Sequence, residues 1–236
     1  MNKVQNIACL ALFALFSTAA AGQSSSGLSA GLSDSRTLKV QSKVDDLYER
    51  GEFKRAYFIY RNELVPIGDK YAQYMVGYMH LTGMGAKQDN VAALAWYTLA
   101  AERGTPEFVA VRDQLMHDLT TEDKKRSLAR YRELRREFGD LVLLLATIKS
   151  NLGELEARTG SRLPSDSGSL AVVEASSSSR SQSGANYYGR IRQQLQTRLQ
   201  MLAEIGDFPD LETNPDRVDI DDVERLVRQR LESDAD

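Results

Sequence analysis

The sequence predicts an all-α protein: a short α-solenoid of antiparallel helix pairs with capping helices, and a C-terminal helical hairpin after a flexible linker. Three observations predict it. Apolar residues recur at three- and four-residue steps through most of residues 44–158. Ala56, Ile59 and Tyr60 reappear as Ala93, Trp96 and Tyr97 at an offset of 37, and Gly68 as Gly104 at an offset of 36. A period in the thirties belongs to stacked helix pairs, each covering the apolar face of its neighbour. A serine-dominated stretch then precedes two further amphipathic segments.

The chain begins with a candidate export signal. Lys3 gives a short positive region, Ile7–Phe16 is an apolar run, and Ala19-Ala20-Ala21 offers the small residues a signal peptidase accepts, with cleavage before Gly22. The run is too short for a stable bilayer-spanning helix. Residues 1–21 are therefore read as a signal peptide and the mature chain as periplasmic. The single cysteine, Cys9, lies inside the apolar run, so the mature chain is expected to lack disulfides, thiol nucleophiles and thiolate metal sites. The formal net charge is −3, a poor match for nucleic acid, which needs a basic surface.

Residues 22–37, rich in Ser, Gly and Ala, read as a disordered leader. Order is expected near Leu38. Val44, Leu47 and Tyr48 form one helical face, ended by Gly51. Phe53, Ala56, Tyr57, Tyr60 and Leu64 form the next, stopped by Pro66 and Gly68. A helix from about Asp69 to Leu81 carries Tyr71, Ala72, Met75, Val76 and Met79. Asp89 is positioned to cap the helix Asn90–Arg103, which Gly104 closes. Thr105-Pro106-Glu107 starts another helix with a hydroxyl cap, a proline at the first position and an acid near the positive dipole end. Thr120 to Asp123 start a further one, running to about Phe138. Asp140–Arg158 is the last helix of the repeat domain, so the helices from Thr105 to Arg158 are expected to cap it, giving bounds of 38–160.

Residues 161–186 read as a serine-rich linker in which Leu170, Val172 and Val173 form a short extended contact. Residues 187–236 read as the hairpin. Its first helix carries Tyr188, Ile191, Leu195, Leu199 and Leu202 on one face, and its second Ile220, Val223, Leu226, Val227 and Leu231. Such a hairpin needs a surface to cover it.

The stretch Ala72–Gly104 has two helical patterns flanking Gly83-Met84-Gly85. In order it presents Ala72, Val76-Gly77, Gly83 and Gly85, Asp89, Ala93, Trp96-Tyr97, Ala100-Ala101 and Gly104. This order resembles a Sel-one-like repeat of the exported bacterial type, the longer-looped relative of the tetratricopeptide repeat. Val76 stands for the usual Leu, His80 for Tyr and Ala86 for Val. The resemblance implies that Gly77 and Ala93 let two helices approach closely, that Trp96 fills the groove between them, and that Gly83 and Gly85 adopt backbone conformations a Cβ forbids. It also implies a non-catalytic docking scaffold. In such scaffolds the first helix of each pair lines the concave side, which makes Tyr71, Tyr74 and Tyr78 the candidate partner-binding residues, since tyrosine buries a ring while keeping a polar tip.

Chemistry is not indicated. The Gly-x-Gly loop lacks the preceding strand and third glycine of a dinucleotide site. His80 and His117 are the only histidines, too few for a zinc site, and are read as packing and dipole residues. Asp45-Asp46, Glu122-Asp123 and Asp221-Asp222 sit at helix starts, where adjacent acids are ordinary, and no Gly-x-Ser-x-Gly elbow occurs. From Asp210 onward, Asp210, Glu212 and Asn214 suit a calcium loop, but Pro215 takes the glycine position. No catalytic residue, metal or cofactor is expected. Lys124, Lys125, Arg126, Arg130, Arg132, Arg135 and Arg136 are interleaved with acids, which favours a salt-bridged face over lipid contact. The expected function is a protein–protein interaction scaffold or adaptor of the bacterial envelope, binding a protein or peptide. Two weaker alternatives are a cell-wall-acting enzyme or its regulatory subunit, and a peripheral membrane protein.

Overall fold

A computed structural model describes residues 35–159, 171–173 and 181–233. The expected signal peptide, and all but the end of the expected leader, lie outside the described residues. The fold is all-helical apart from one short strand pair, and the described residues fall into two compact units that divide between Gly139 and Asp140. No described helix is long and apolar enough to cross a membrane.

The first unit holds three helix pairs. Helix α1 (Ser35–Glu49) runs antiparallel to α2 (Phe53–Ile59), which loosens into a π-helical turn at Tyr60–Leu64 and tightens into a 3₁₀ turn at Val65–Ile67. Pro66 has no N–H to return to the preceding turn, and Gly68, at φ 79°, supplies the left-handed stop. Helix α3 (Lys70–Thr82) follows, then α4 (Asn90–Ala100) with a 3₁₀ turn at Ala101–Arg103. The third pair is α5 (Pro106–Asp118) and α6 (Thr121–Phe138). α6 packs along α4 as well as following α5.

Local chemistry places the helix starts. The Asp69 carboxylate accepts from the Ala72 N–H at 3.0 Å and that of Asp89 from the Ala92 N–H at 2.9 Å. Thr120 accepts from the Asp123 N–H at 3.2 Å and donates its hydroxyl to the Asp123 carboxylate at 2.7 Å. Thr105 departs from expectation: its hydroxyl makes no capping bond, and α5 starts on the proline at its first turn alone.

The 36–37-residue offset is physical. Ala56 and Ala93 are both wholly buried, Tyr60 and Tyr97 likewise, and Gly68 and Gly104 both end their segments in the left-handed region. α3 and α4 make the closest approach. A Cβ at Gly77 would stand 2.9 Å from the Tyr97 ring and 3.2 Å from the Trp96 Cβ. Gly85, at φ 79°, seats its loop on the start of α2: a Cβ there would lie 2.4 Å from the Phe53 carbonyl oxygen. Ala93, Ala100 and Ala101 are buried along α4.

Both Tyr97, by its ring, and Trp96, by its Cβ, lie against Gly77. The Trp96 ring also meets Phe138, with centroids 6.1 Å apart, and Arg61, whose guanidinium lies 5.2 Å from its centroid and 4.4 Å from the Phe138 centroid. Trp96 thus joins α4 to the end of α6 and to the π-helical turn after α2.

The second unit contains α7 (Asp140–Thr159), the strands β1 (Ala171–Val173) and β2 (Ser181–Ser183), α8 (Gly184–Gly206) and α9 (Ile220–Ser233). α7 packs against α8 and α9, so it belongs with the C-terminal helices, whereas the sequence reading counted it among the repeat caps. It supplies the cover the hairpin needs: Leu144 and Ile148 are buried, as are Leu195, Leu199 and Leu202 of α8 and Val223 and Val227 of α9. Lys149 pairs with Glu224. Within the expected linker, β1 and β2 pair antiparallel, Val172 opposite Gln182, and α8 begins at Gly184, before Tyr187. The remaining expected linker residues lie outside the described ones. The acidic turn is occupied by its own partners: Glu212 pairs with Arg217 at 3.3 Å, Asp216 with Arg192 at 3.1 Å, and the Asn214 side chain accepts from the Asp216 N–H.

The glycines should separate by cause. Gly85→Ala meets both a left-handed φ and a backbone oxygen, and should cost about 3 kcal/mol in urea unfolding. Gly104→Ala meets the φ alone, with no atom within 4 Å, and should cost about 1 kcal/mol. Equal losses would show that the loop's seat on Phe53 contributes nothing.

Candidate functional site

The first helices of the three pairs, α1, α3 and α5, form a row bridged by rings. Tyr71 meets Tyr60 at 6.4 Å and stacks on Tyr74 at 6.5 Å. Tyr74 stacks on Phe108 of α5 at 5.2 Å and lies against Tyr97 at 5.2 Å. Tyr48 of α1 meets Phe53 edge-on at 5.1 Å, and its hydroxyl bonds with that of Tyr78. These rings fill the spacing between the first helices, which the backbones themselves do not close.

Tyr71, Tyr74 and Tyr78 do not share one environment. Tyr71 and Tyr78 are half-buried, as are Tyr48 and Phe108. Tyr74 is 5% exposed and enclosed by Tyr71, Tyr97 and Phe108. Its ring is part of the core, while its hydroxyl lies near those of Tyr71 and Tyr78. The helical step explains this: from Tyr71, three residues turn Tyr74 inward toward α4 and α5, and seven return Tyr78 to the Tyr71 side. Sequence reasoning missed Tyr48 and Phe108, which lie on other helices. The three-residue spacing of Tyr48 from Asp45 was the available signal.

The polar chemistry of this row is unusual. The hydroxyls of Tyr74 and Tyr97 are buried without a hydrogen-bond partner. Burial pushes the phenols of Tyr48, Tyr60, Tyr71, Tyr74 and Tyr97 upward, that of Tyr71 to about 12, so these are neutral donors. The α1 end is acidic. Tyr60 donates to the Asp45 carboxylate at 3.2 Å, and Gln41 donates to Asp69 at 2.8 Å. Burial raises the Asp45 carboxyl most, the Tyr60 hydrogen bond opposes it, and Glu49, Asp69 and Asp46 raise it further.

Elsewhere the charged groups are structural. Lys70, buried, donates to the Leu99 carbonyl at 2.8 Å and to Glu102 at 3.0 Å, and Glu102 also takes Tyr131 at 3.1 Å and Arg135 at 3.4 Å. The basic helix α6 is laced with acids, Arg126 to Asp123 and Arg130 to Asp89 among them. His117 pairs with Asp118 in the last turn of α5. His80 bridges two segments. Its Nδ1 lies 3.3 Å from the Lys87 carbonyl, which only accepts, so Nδ1 carries the proton; Nε2 then accepts from the Tyr57 hydroxyl at 3.2 Å. Among the described residues no three His, Cys, Asp or Glu side chains gather as a metal site.

Against this geometry, a family model described as the Sel1 repeat matches residues 70–105, which span α3, the glycine loop, α4 and Gly104. Comparison with curated proteins and with solved structures found no match. Sel1 repeats generally mediate protein–protein interaction and are typically non-catalytic. The matched segment is flanked by further helix pairs, α1 with α2 before it and α5 with α6 after it.

Two measurements check the site. Tyr74→Phe removes an unmatched buried hydroxyl and should leave the Tm unchanged or raised, whereas Tyr74→Ala should cost about 3–4 kcal/mol. His80 is held below its ordinary value of 6.5, first by burial, with the Lys87 carbonyl opposing and Arg130 and Arg61 assisting. The unfolded chain takes up that proton first, so His80 contributes stability that is complete above pH about 6.5 and lost as the pH falls below it. In His80→Gln that part of the slope should vanish from unfolding free energies measured between pH 7 and 5.

Proposed function

We propose that this protein is a non-catalytic scaffold that binds a protein or peptide on the α1–α3–α5 face of its helical repeats. The observation that supports the reading is the set of half-buried rings Tyr48, Tyr71, Tyr78 and Phe108, drawn from three successive first helices. A row of rings anchored from behind and open at one edge loses little side-chain entropy when a partner covers it. The chemistry of the face is that of contact. The Tyr48 and Tyr71 phenols are held neutral by burial and the acids lie to one side.

We place the mature chain in the bacterial periplasm as an envelope adaptor. This part of the proposal rests on the amino-terminal residues alone: the Ile7–Phe16 run followed by Ala19-Ala20-Ala21.

Photo-crosslinking in the producing cell tests both parts. A benzoylphenylalanine at position 71 or 78 should yield a discrete crosslinked product. One at position 58, where Phe58 is 61% exposed, should not. Crosslinks at 58 as strong as those at 71 and 78 would move the docking face elsewhere. In the same cells, protein from the periplasmic fraction should begin at Gly22, and a chain retaining Met1 in the cytoplasm would remove the envelope assignment.

A further inference from the structure

The docking face has a charge as well as a shape. At its α1 end, Asp45 lies three residues before Tyr48 on the same helix, is bonded by Tyr60, and acts on Tyr71 through space. Three further acids, Glu49, Asp46 and Asp69, act on Asp45 in the same sense. Asp69 is already held by Gln41 and by its capping bond to the Ala72 N–H, but Asp45 and Glu49 are exposed. Aromatic faces flanked by carboxylates attract cations twice over, through the ring quadrupole and through the charge.

A second observation points to a ligand independently of those acids. The Tyr74 hydroxyl is buried and has no acceptor, and it lies among the hydroxyls of Tyr71 and Tyr78. A buried donor left unmatched costs free energy in the empty protein. A carbonyl oxygen arriving between the two half-buried rings, with a rotation of one of them, would satisfy it.

We propose that the segment bound on this face is a basic peptide, whose arginine or lysine lies on the Tyr48 and Tyr71 rings with its charge on Asp45 and Glu49, and whose backbone carbonyl takes the Tyr74 hydroxyl. One ligand class supplies both groups, since a peptide carries a carbonyl beside every basic side chain. An acidic peptide would meet four carboxylates there. The inference rests on the docking reading above and adds the chemistry of the partner.

Fluorescence anisotropy on the full chain tests it with three labelled decapeptides, identical except that three positions are arginine, citrulline or glutamate. The arginine peptide should bind about tenfold tighter than the citrulline peptide, and the glutamate peptide weakest. Asp45→Asn with Glu49→Gln should erase most of that preference, and Tyr74→Phe should weaken the arginine peptide about fivefold without lowering the Tm. Asp221→Asn with Asp222→Asn, in the second unit, should change nothing. Equal binding of arginine and citrulline peptides overturns the cationic partner, and so does equal loss on neutralising Asp221 and Asp222, because diffuse attraction would then suffice. If the citrulline peptide binds as well as the arginine peptide and Tyr71→Ala weakens both, the docking face survives while its charge preference falls. If no peptide binds and positions 71 and 78 give no crosslink, the docking reading itself falls.

Discussion

The approach of α3 to α4 at Gly77 is the constraint on which the first unit depends. With no side chain at that position, the Tyr97 ring lies directly on the α3 backbone. That contact fixes the rotation of both helices. Tyr97 lies on Gly77, and the adjacent Trp96 reaches Phe138 and Arg61. Met75, Val76 and Met79 are then directed inward, and Tyr71 and Tyr78 are left at the edge. A methyl group at residue 77 would propagate through each of these positions, because packed interiors transmit small displacements.

Much of this was legible in the sequence because it is local. Helix starts at Asp89 and Thr120, left-handed stops at Gly68, Gly83 and Gly104, and the helical repeat itself follow from residue types at short spacings. The direction of Trp96 was not legible, because its ring meets Phe138, distant in sequence. The burial of Tyr74 was not legible for a related reason: periodicity places three tyrosines near one side of α3, but whether the middle ring is covered depends on Phe108 of the next pair. The assignment of α7 failed because an apolar stripe states that a helix needs cover without stating which helix provides it.

The tyrosine row grades from the core outward to the surface. Tyr97 is wholly buried, Tyr74 nearly so, and Tyr48, Tyr71 and Tyr78 are half-covered. The same residue type thus forms a graded layer. Its inner members hold the helices together, and its outer members keep ring surface and hydroxyls within reach of solvent. Two hydroxyls without partners lie inside that layer, where phenylalanine would pack without the loss. Sites of binding commonly retain such unfavourable groups, because selection for a contact outweighs a fraction of a fold's stability.

The Lys70–Glu102 pair bears on how far the repeat can be treated as a module. These two residues mark the opening of α3 and the turn after α4, so they bracket nearly the whole matched segment. Yet Glu102 is completed by Tyr131 and Arg135, and Trp96 by Phe138, all contributed by α6. A fragment cut at residue 105 would strip the Glu102 carboxylate of two of its three donors and uncover the Trp96 ring on the side where Phe138 lies. The unit that evolution can transplant is therefore longer than the unit that a pattern recognises, and its natural limit is the glycine at 139.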